Sequence, residues 1–291
     1  MLWLFSAKIM RGWLMMRRRI YGYMAVACII LMLFTSTANA LTAGDQTRHF
    51  NIVYESGFEP SDGKSFGQTL ENAYDLINGY YGTLPDQVKV LVVGQAAMDE
   101  IGEHVEAFSA WNPKSSSIVL REETLDKQPS LDVIVRHELS HLGINNILCK
   151  KDSTEFQWMQ EGLCMVLSQE PLSDKKVSKY IMTQGFLSPP EIADAVKNEK
   201  YNITRDGYLQ SWSLIDYMVT ELGAQRVIDM LRVPDSNFDV AFKRNTGMDF
   251  DTFYRQWEDH VKDAATEVHR PMIPIFGHMF FGKMLINYAD S

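Results

Sequence analysis

The feature that most constrains this chain is a short segment in which two histidines flank a glutamate, His137-Glu138-Leu139-Ser140-His141. It follows an apolar run, and the two together predict a helix over residues 131–147. On a helix, His137 and His141 lie one turn apart on the same face, so both imidazoles can bind one metal ion. Glu138 stands beside the first histidine and reaches a water on that ion without being a ligand itself. The segment therefore predicts a helix that presents two zinc ligands and a base.

A third ligand is predicted on the following helix. Glu161 comes 20 residues after His141, in a segment with helical periodicity over residues 156–168. A glutamate on a helix is usually a solvated surface residue. This one follows Trp158 by three residues and directly precedes Gly162. Because catalytic zinc sites combine histidines with a carboxylate and leave one position open, we interpret Glu161 as the third ligand.

Hydrophobic periodicity predicts an α+β fold with a mixed first part and a helical second part. Strands are predicted over residues 49–55, 88–93 and 116–121, and a helix over residues 65–81. Beyond the helix at 131–147, helices are predicted over residues 156–168, 175–184, 207–222, 225–231, 238–246 and 249–266. No repeat or long linker interrupts the chain. We therefore predict one domain over residues 41–291, with a mixed α/β lobe (41–150), a helical lobe (151–270) and an apolar tail (271–291).

The first 40 residues have the pattern of a secretory signal peptide. Three arginines at residues 17–19 precede an apolar run at 24–34, and small residues follow at 38–40, where a signal peptidase would cut. The apolar run is shorter than the roughly 20 residues that a membrane-spanning helix needs. We therefore predict an exported protein that is periplasmic, at the cell surface or secreted; an uncleaved anchor is the alternative.

The charge balance weighs against two classes of partner. Five of the 28 basic residues lie within residues 1–40, so 23 remain against 37 acidic residues. Such an acidic surface repels phosphate backbones and anionic lipid headgroups. We therefore expect a peptide or protein substrate, no nucleic acid, and no stable membrane insertion unless the signal segment is retained.

Two cysteines remain once the signal segment is removed, Cys149 and Cys164. An even count in an exported protein is compatible with one disulfide bond, which would join the end of the first ligand helix to the second. Two small buried thiols are an equally good interpretation.

The order of these motifs resembles the gluzincin branch of zinc metallopeptidases, and more closely the bacterial peptidase MA-like domains. The similarity covers residues 49–262, and its specific part is the pair of zinc-ligand helices. Three further stretches match the family diffusely: residues 70–85, 208–223 and 238–257. The resemblance implies a zincin, thermolysin-like architecture, in which a mixed sheet lobe carries the first ligand helix and a helical lobe follows.

The resemblance also implies the roles of individual residues. His137, His141 and Glu161 would hold one zinc ion, which would polarise the scissile carbonyl. Glu138 would be the general base that activates water and then the acid that protonates the leaving amine. Such enzymes commonly use a Tyr or His to donate to the developing oxyanion, and Tyr208 is the candidate here. A tyrosine that only packs is the alternative interpretation.

Two further expectations concern the surroundings of the site. By the resemblance, residues 116–120 would form the edge strand that pairs with an extended substrate backbone. Some gluzincins also carry an Asp four residues past the Glu ligand, where it supports a zinc histidine. This chain has Met165 at that place, so support for His137 or His141 must come from another residue.

The leading hypothesis is a zinc-dependent peptidase, and two alternatives remain open. One is an inactive zinc-binding scaffold that binds a partner or peptide without cutting it. The presence of Glu138 argues against it, because a structural zinc site needs no base. The other is a zinc hydrolase of a non-protein amide, such as a cell-wall peptide.

Overall fold

The computed structural model describes residues 42–55, 63–100, 105–125, 130–148, 156–197, 201–233 and 237–266. These residues form two compact units. The first takes in the chain up to Asn72 and Asp86–Asp132, and the second takes in Ala73–Pro85 and the chain from Val133 onward. The predicted signal segment at 1–40, Cys149 and the apolar tail at 271–291 lie outside the described residues.

The first unit contains a five-stranded mixed sheet in the order β1-β2-β3-β5-β4. Its strands are β1 (Thr42–Gln46), β2 (Phe50–Tyr54), β3 (Val88–Val93), β4 (Ala107–Asn112) and β5 (Ser115–Arg121). The three central strands β2, β3 and β5 are parallel, and the two outer strands pair antiparallel to their neighbours. The inward positions of the central strands are apolar and fully buried, as in Phe50, Val90 and Ile118. Alternating burial of this kind is what fixes the register of a sheet.

The expectation that residues 116–120 form an edge strand is wrong. Strand β5, which contains them, lies between β3 and β4, so β4 is the outer strand on that side. The two strands form a hairpin whose turn is held by Asn112, because its side-chain oxygen accepts from the backbone nitrogens of Lys114 and Ser115. Strand β4 was missed because its residues are almost all half-buried and show no clear alternation.

Helices fill the rest of the described chain. They are α1 (Gly63–Tyr81), α2 (Gln95–Asp99), α3 (Ser130–Leu148), α4 (Gln157–Leu167), α5 (Asp174–Gln184), α6 (Pro189–Val196), α7 (Tyr201–Leu222), α8 (Ala224–Arg232), α9 (Phe238–Thr246) and α10 (Phe250–Thr266), with a short 3₁₀ helix at Glu122–Thr124. Helix α1 begins in the first unit and ends in the second. Together with the five-stranded sheet, these helices give a mixed α and β fold whose second part is mostly helical.

Among the helices of the described ranges, none has the length and apolar character that a bilayer-spanning segment needs.

Most of the predicted elements are confirmed to within two residues. The sequence pattern missed helix α6 and the start of helix α7, and both differences have local causes. Helix α6 was not predicted, although Ser188 and Glu191 form a capping box around two prolines that suit a first helical turn. Helix α7 begins six residues before the predicted start at Gly207. A Cβ at Gly207 would lie 2.7 Å from the backbone nitrogen of Val196, so this glycine permits close packing within a helix and does not mark a helix end.

An aromatic cluster forms much of the core of the second, mostly helical unit, called the helical unit below. Trp158 of α4 packs edge-to-face on Phe238, which also contacts Phe250 with ring centroids 4.7 Å apart. Trp257 is fully buried, and its indole nitrogen donates to the hydroxyl of Ser213 at 3.1 Å. Burying a large aromatic side chain contributes on the order of 2–3 kcal/mol, so this cluster anchors α4 firmly.

An ion pair joins α10 to the start of α5. His260 Nε2 lies 3.2 Å from a carboxylate oxygen of Asp174, and the ring of Tyr217 stacks 4.9 Å from the imidazole. The hydrogen bond with Asp174, reinforced by the charges of Asp174, Asp216 and Glu221, raises the pKa of His260 above its usual 6.5 although burial opposes this. The same hydrogen bond lowers the pKa of Asp174 below 3.8 against the effect of its burial.

We predict that His260→Gln destabilises the protein more at about pH 5.5 than at about pH 8. A raised histidine pKa contributes stability that is present below about 6.5 and lost as the pH rises through the folded-state pKa, while the lowered Asp174 pKa contributes above about 3.8. Since both groups are partly exposed, we expect about 0.5 kcal/mol at most, or a Tm change of about 1–2 °C. Thermal unfolding at both pH values measures it, with Asp174→Asn as the matched variant. Equal losses at the two pH values would contradict it.

Candidate metal centre

The structure brings the two motif histidines and Glu161 to one point. His137 and His141 lie one turn apart on α3, and their Nε2 atoms are 3.1 Å apart. A carboxylate oxygen of Glu161, on α4, lies 3.7 Å from His137 Nε2 and 3.6 Å from His141 Nε2. Three ligands around a tetrahedral zinc ion with bonds of about 2.0–2.1 Å are separated by roughly 3.4 Å. The three donor atoms therefore fit a single zinc ion.

Helix α4 can place Glu161 there because it lies very close to α7. A Cβ on Gly162 would stand 2.5 Å from the side chain of Ile215 and 2.7 Å from the backbone oxygen of Ser211. The hydroxyl of Ser211 also donates to the backbone oxygen of Trp158, one turn before Glu161. Gly162, directly after Glu161, is thus required by the close approach of two helices, which the sequence pattern alone did not reveal.

A carboxylate that the sequence reasoning missed supports His137. Glu170 accepts from His137 Nδ1 at 2.9 Å, while Met165, at the place where some gluzincins carry an Asp, is buried and apolar. A hydrogen bond at Nδ1 fixes the ring and leaves the Nε2 lone pair directed at the other ligand atoms. The support expected from elsewhere thus comes from Glu170, nine residues after Glu161 and beyond the end of α4.

The centre carries a concentration of negative charge that favours a cation. Burial opposes protonation of His137, but hydrogen bonds with Glu161 and Glu170 and the charge of Glu138 outweigh it and raise its pKa to about 10. Burial would also raise the pKa of Glu161, yet the charges of the two histidines lower it. A histidine binds a metal ion through an unprotonated nitrogen, so the raised pKa of His137 leads us to expect that metal binding is coupled to proton release.

Glu138 and Tyr208 belong to the same surroundings. Glu138 follows His137 on α3 and is only 8% exposed. Tyr208 lies on α7, and its pKa is raised by burial first and then by the charges of Glu161, Cys164 and Glu138. The phenol therefore stays neutral across the physiological range and can donate a hydrogen bond.

Cys164 is a second candidate for the third ligand. It is a fully buried free thiol, so for this residue the buried-thiol interpretation is confirmed and the disulfide is not. Its sulfur and the ring nitrogens of His137 and His141 lie within 4.8 Å of one another. Burial and the charges of Glu161, Glu138 and Glu170 raise the pKa of this thiol well above its usual range. Because a carboxylate oxygen of Glu161 lies 3.7 and 3.6 Å from the two ring nitrogens, close to the separation of ligands around one zinc ion, we favour Glu161 as the ligand.

Comparison with known proteins gives a distant structural similarity. An M1 zinc metallopeptidase from Deinococcus radiodurans superposes with a TM-score of 0.41 at 15% sequence identity, over 79% of this chain and 51% of that one. A point mutant of an M1 zinc metallopeptidase from the same organism gives a TM-score of 0.42 at 14% identity, over 82% and 53%. The chain thus spans about half the length of these structures. No protein-family profile and no curated protein matches the sequence. Similarity at this level does not establish a shared activity, so function is inferred from the side chains themselves.

We predict that Gly162→Ala disrupts the centre. The added methyl must displace α4 from α7, which costs about 1–3 kcal/mol and shifts Glu161 away from the histidines. We expect a lower Tm and a lower zinc content, measured by calorimetry and elemental analysis. Gly79→Ala is the matched control because a Cβ there meets nothing within 4 Å, and it should be neutral or slightly stabilising. Wild-type zinc content in Gly162→Ala would contradict this account of the packing.

The third ligand can be identified by comparing Glu161→Ala with Cys164→Ala. We expect Glu161→Ala to weaken zinc binding by more than about 100-fold, and Cys164→Ala to change it by less than about threefold. The cobalt-substituted protein gives an independent measurement, because a bound thiolate adds an intense near-ultraviolet charge-transfer band that carboxylate and imidazole ligands lack. Such a band in the wild type, lost in Cys164→Ala, would make Cys164 the ligand.

Proposed function

We propose that this chain is an exported zinc metallopeptidase that hydrolyses peptide bonds. The observation that carries the proposal is the convergence of three donor atoms, His137 Nε2, His141 Nε2 and Glu161 Oε2, at separations of 3.1–3.7 Å. A buried carboxylate, Glu138, stands beside the first of them and would supply the base that a hydrolase needs. A zincin, thermolysin-like architecture belongs to the same proposal.

The residues of this chain divide the chemistry among themselves. His137, His141 and Glu161 would hold one zinc ion, which would supply a Lewis acid for the carbonyl of the scissile bond. Glu138 takes a proton from the attacking water and returns it to the leaving nitrogen, so the peptide bond is replaced by a carboxylate and an amine.

Tyr208 and Glu170 take supporting roles in the proposal. A neutral Tyr208 hydroxyl donates to the oxygen that gains negative charge as water attacks the carbonyl. Glu170 keeps the His137 ring in place through the bond to Nδ1. Neither residue needs to change its charge during the reaction.

Export and the choice of substrate are part of the same proposal. The pattern of residues 1–40 supports an exported protein, and the acidic excess of the remainder supports a peptide or protein substrate over a nucleic acid. Two other functions use the same centre: an inactive zinc-binding scaffold for a peptide or partner, and a hydrolase of a non-protein amide such as a cell-wall peptide. The scaffold gives no reason for the buried Glu138.

We predict that Glu138→Gln retains zinc and loses about 10²- to 10⁴-fold in turnover, because it removes the base and leaves the ligands in place. The chain from Leu41 onward is incubated with a diverse peptide mixture, and cleavage sites are mapped by mass spectrometry beside zinc stoichiometry. Glu123→Gln, the same substitution at an exposed residue, is the control and should cut like the wild type.

The outcomes separate the candidate functions. Cuts made only by the wild type and Glu123→Gln support a peptidase. Equal cutting by Glu138→Gln would remove Glu138 from the mechanism. A zinc-loaded wild type that cuts no peptide would overturn the peptidase in favour of a scaffold or a non-peptide amide hydrolase, and turnover of cell-wall peptides would distinguish those two.

A further inference from the structure

The turn that follows helix α4 contains a glutamine, Gln169, with a positive φ angle. Gln169 has φ 61°, in the left-handed region that favours glycine. Elsewhere among the described residues, positive φ angles belong to glycines that follow helices: Gly82, Gly185, Gly223 and Gly247. A glutamine there is less stable than a glycine would be, so its side chain must offer something in return.

The backbone around Gln169 closes the end of the helix. Its nitrogen donates to the oxygen of Val166 at 3.1 Å, and the nitrogen of Glu170 donates to the oxygen of Met165 at 3.1 Å. This pair of bonds is the Schellman pattern, which needs a left-handed residue at the position of Gln169. The turn reverses the chain, so Glu170 can approach helix α3.

The side chain of Gln169 makes a separate contact with α3. Its amide oxygen accepts from Nη1 of Arg136 at 3.0 Å, and Arg136 is only 8% exposed. The next residue on each segment makes the bond described above, from His137 Nδ1 to Glu170 at 2.9 Å. Two consecutive residues of α3 are thus bonded to two consecutive residues after α4.

We propose that Gln169 is a positioning residue for the metal centre. Its bond to Arg136 fixes the turn that holds Glu170 on His137, and so fixes the ring that presents Nε2 to the metal. Glycine would relax the backbone but would leave both the turn and a buried guanidinium without this hydrogen bond. The inference rests on the proposed zinc centre and adds to it a residue outside the ligand helices.

Three variants of the full chain separate the side chain from the backbone. Gln169→Gly and Gln169→Ala both remove the amide, whereas only glycine favours the left-handed conformation. Gln169→Glu keeps an oxygen that accepts from Arg136. For each variant, zinc affinity is measured by competition with a chromophoric chelator, and Tm is measured on the metal-free protein.

We expect the zinc dissociation constant to rise by about 3- to 10-fold in both the Gly and Ala variants, and to stay near the wild-type value in the Glu variant. We also expect the metal-free Gly variant to unfold about 2–4 °C above the Ala variant. A role in stability alone would make zinc affinity follow Tm, so that Gly restored what Ala lost, and that result would overturn the proposal. Wild-type affinity in both the Gly and the Ala variant would also overturn it. A wild type that binds no zinc would overturn the proposed centre itself.

Discussion

The convergence of two imidazoles and a carboxylate from two helices is the interaction on which the rest of the helical unit depends. The Nε2 atoms of His137 and His141 lie 3.1 Å apart, and a carboxylate oxygen of Glu161 lies 3.7 and 3.6 Å from them. Two further carboxylates, Glu138 and Glu170, lie close enough to act on the pKa of His137 or to bond to it. Three carboxylates so close together and partly buried are costly to hold without a cation, so we expect a bound metal ion to add to folding stability.

The packing of α4 determines how accurately Glu161 is placed beside the two histidines. A ligand must be held to within a few tenths of an ångström, and a helix of 11 residues does not fix itself that well. Trp158 anchors one end of α4 in the aromatic cluster, and Gly162 lets the middle lie against α7. Helix packing thus explains Trp158 and Gly162, and it does so separately from the metal chemistry proposed for Glu161.

Much of this could be predicted from the sequence, because helical spacing determines which residues share a face. The two histidines are brought together by one helix, and Glu161 could be inferred from its place on the next. Glu170 could not, because its approach to His137 depends on a left-handed residue that helical periodicity does not reveal. Strand β4 and the inner position of β5 were missed for a related reason: strand order is set by long-range pairing, and the half-buried residues of β4 carry no alternating pattern. For Cys164 the sequence left a disulfide and a buried thiol as equal interpretations, and the structure has the buried free thiol.

The end of α4 shows how local instability and site geometry are related. In the part of the chain that the structure describes, a glycine with positive φ follows four other helices, so glycine would be the easier residue at the position of Gln169. A less stable backbone at one residue is tolerated where the side chain fixes a neighbour that matters more, and such positions cluster at functional sites. The buried Arg136 strengthens this argument, because a guanidinium at 8% exposure needs acceptors, and Gln169 supplies one while keeping the local charge unchanged.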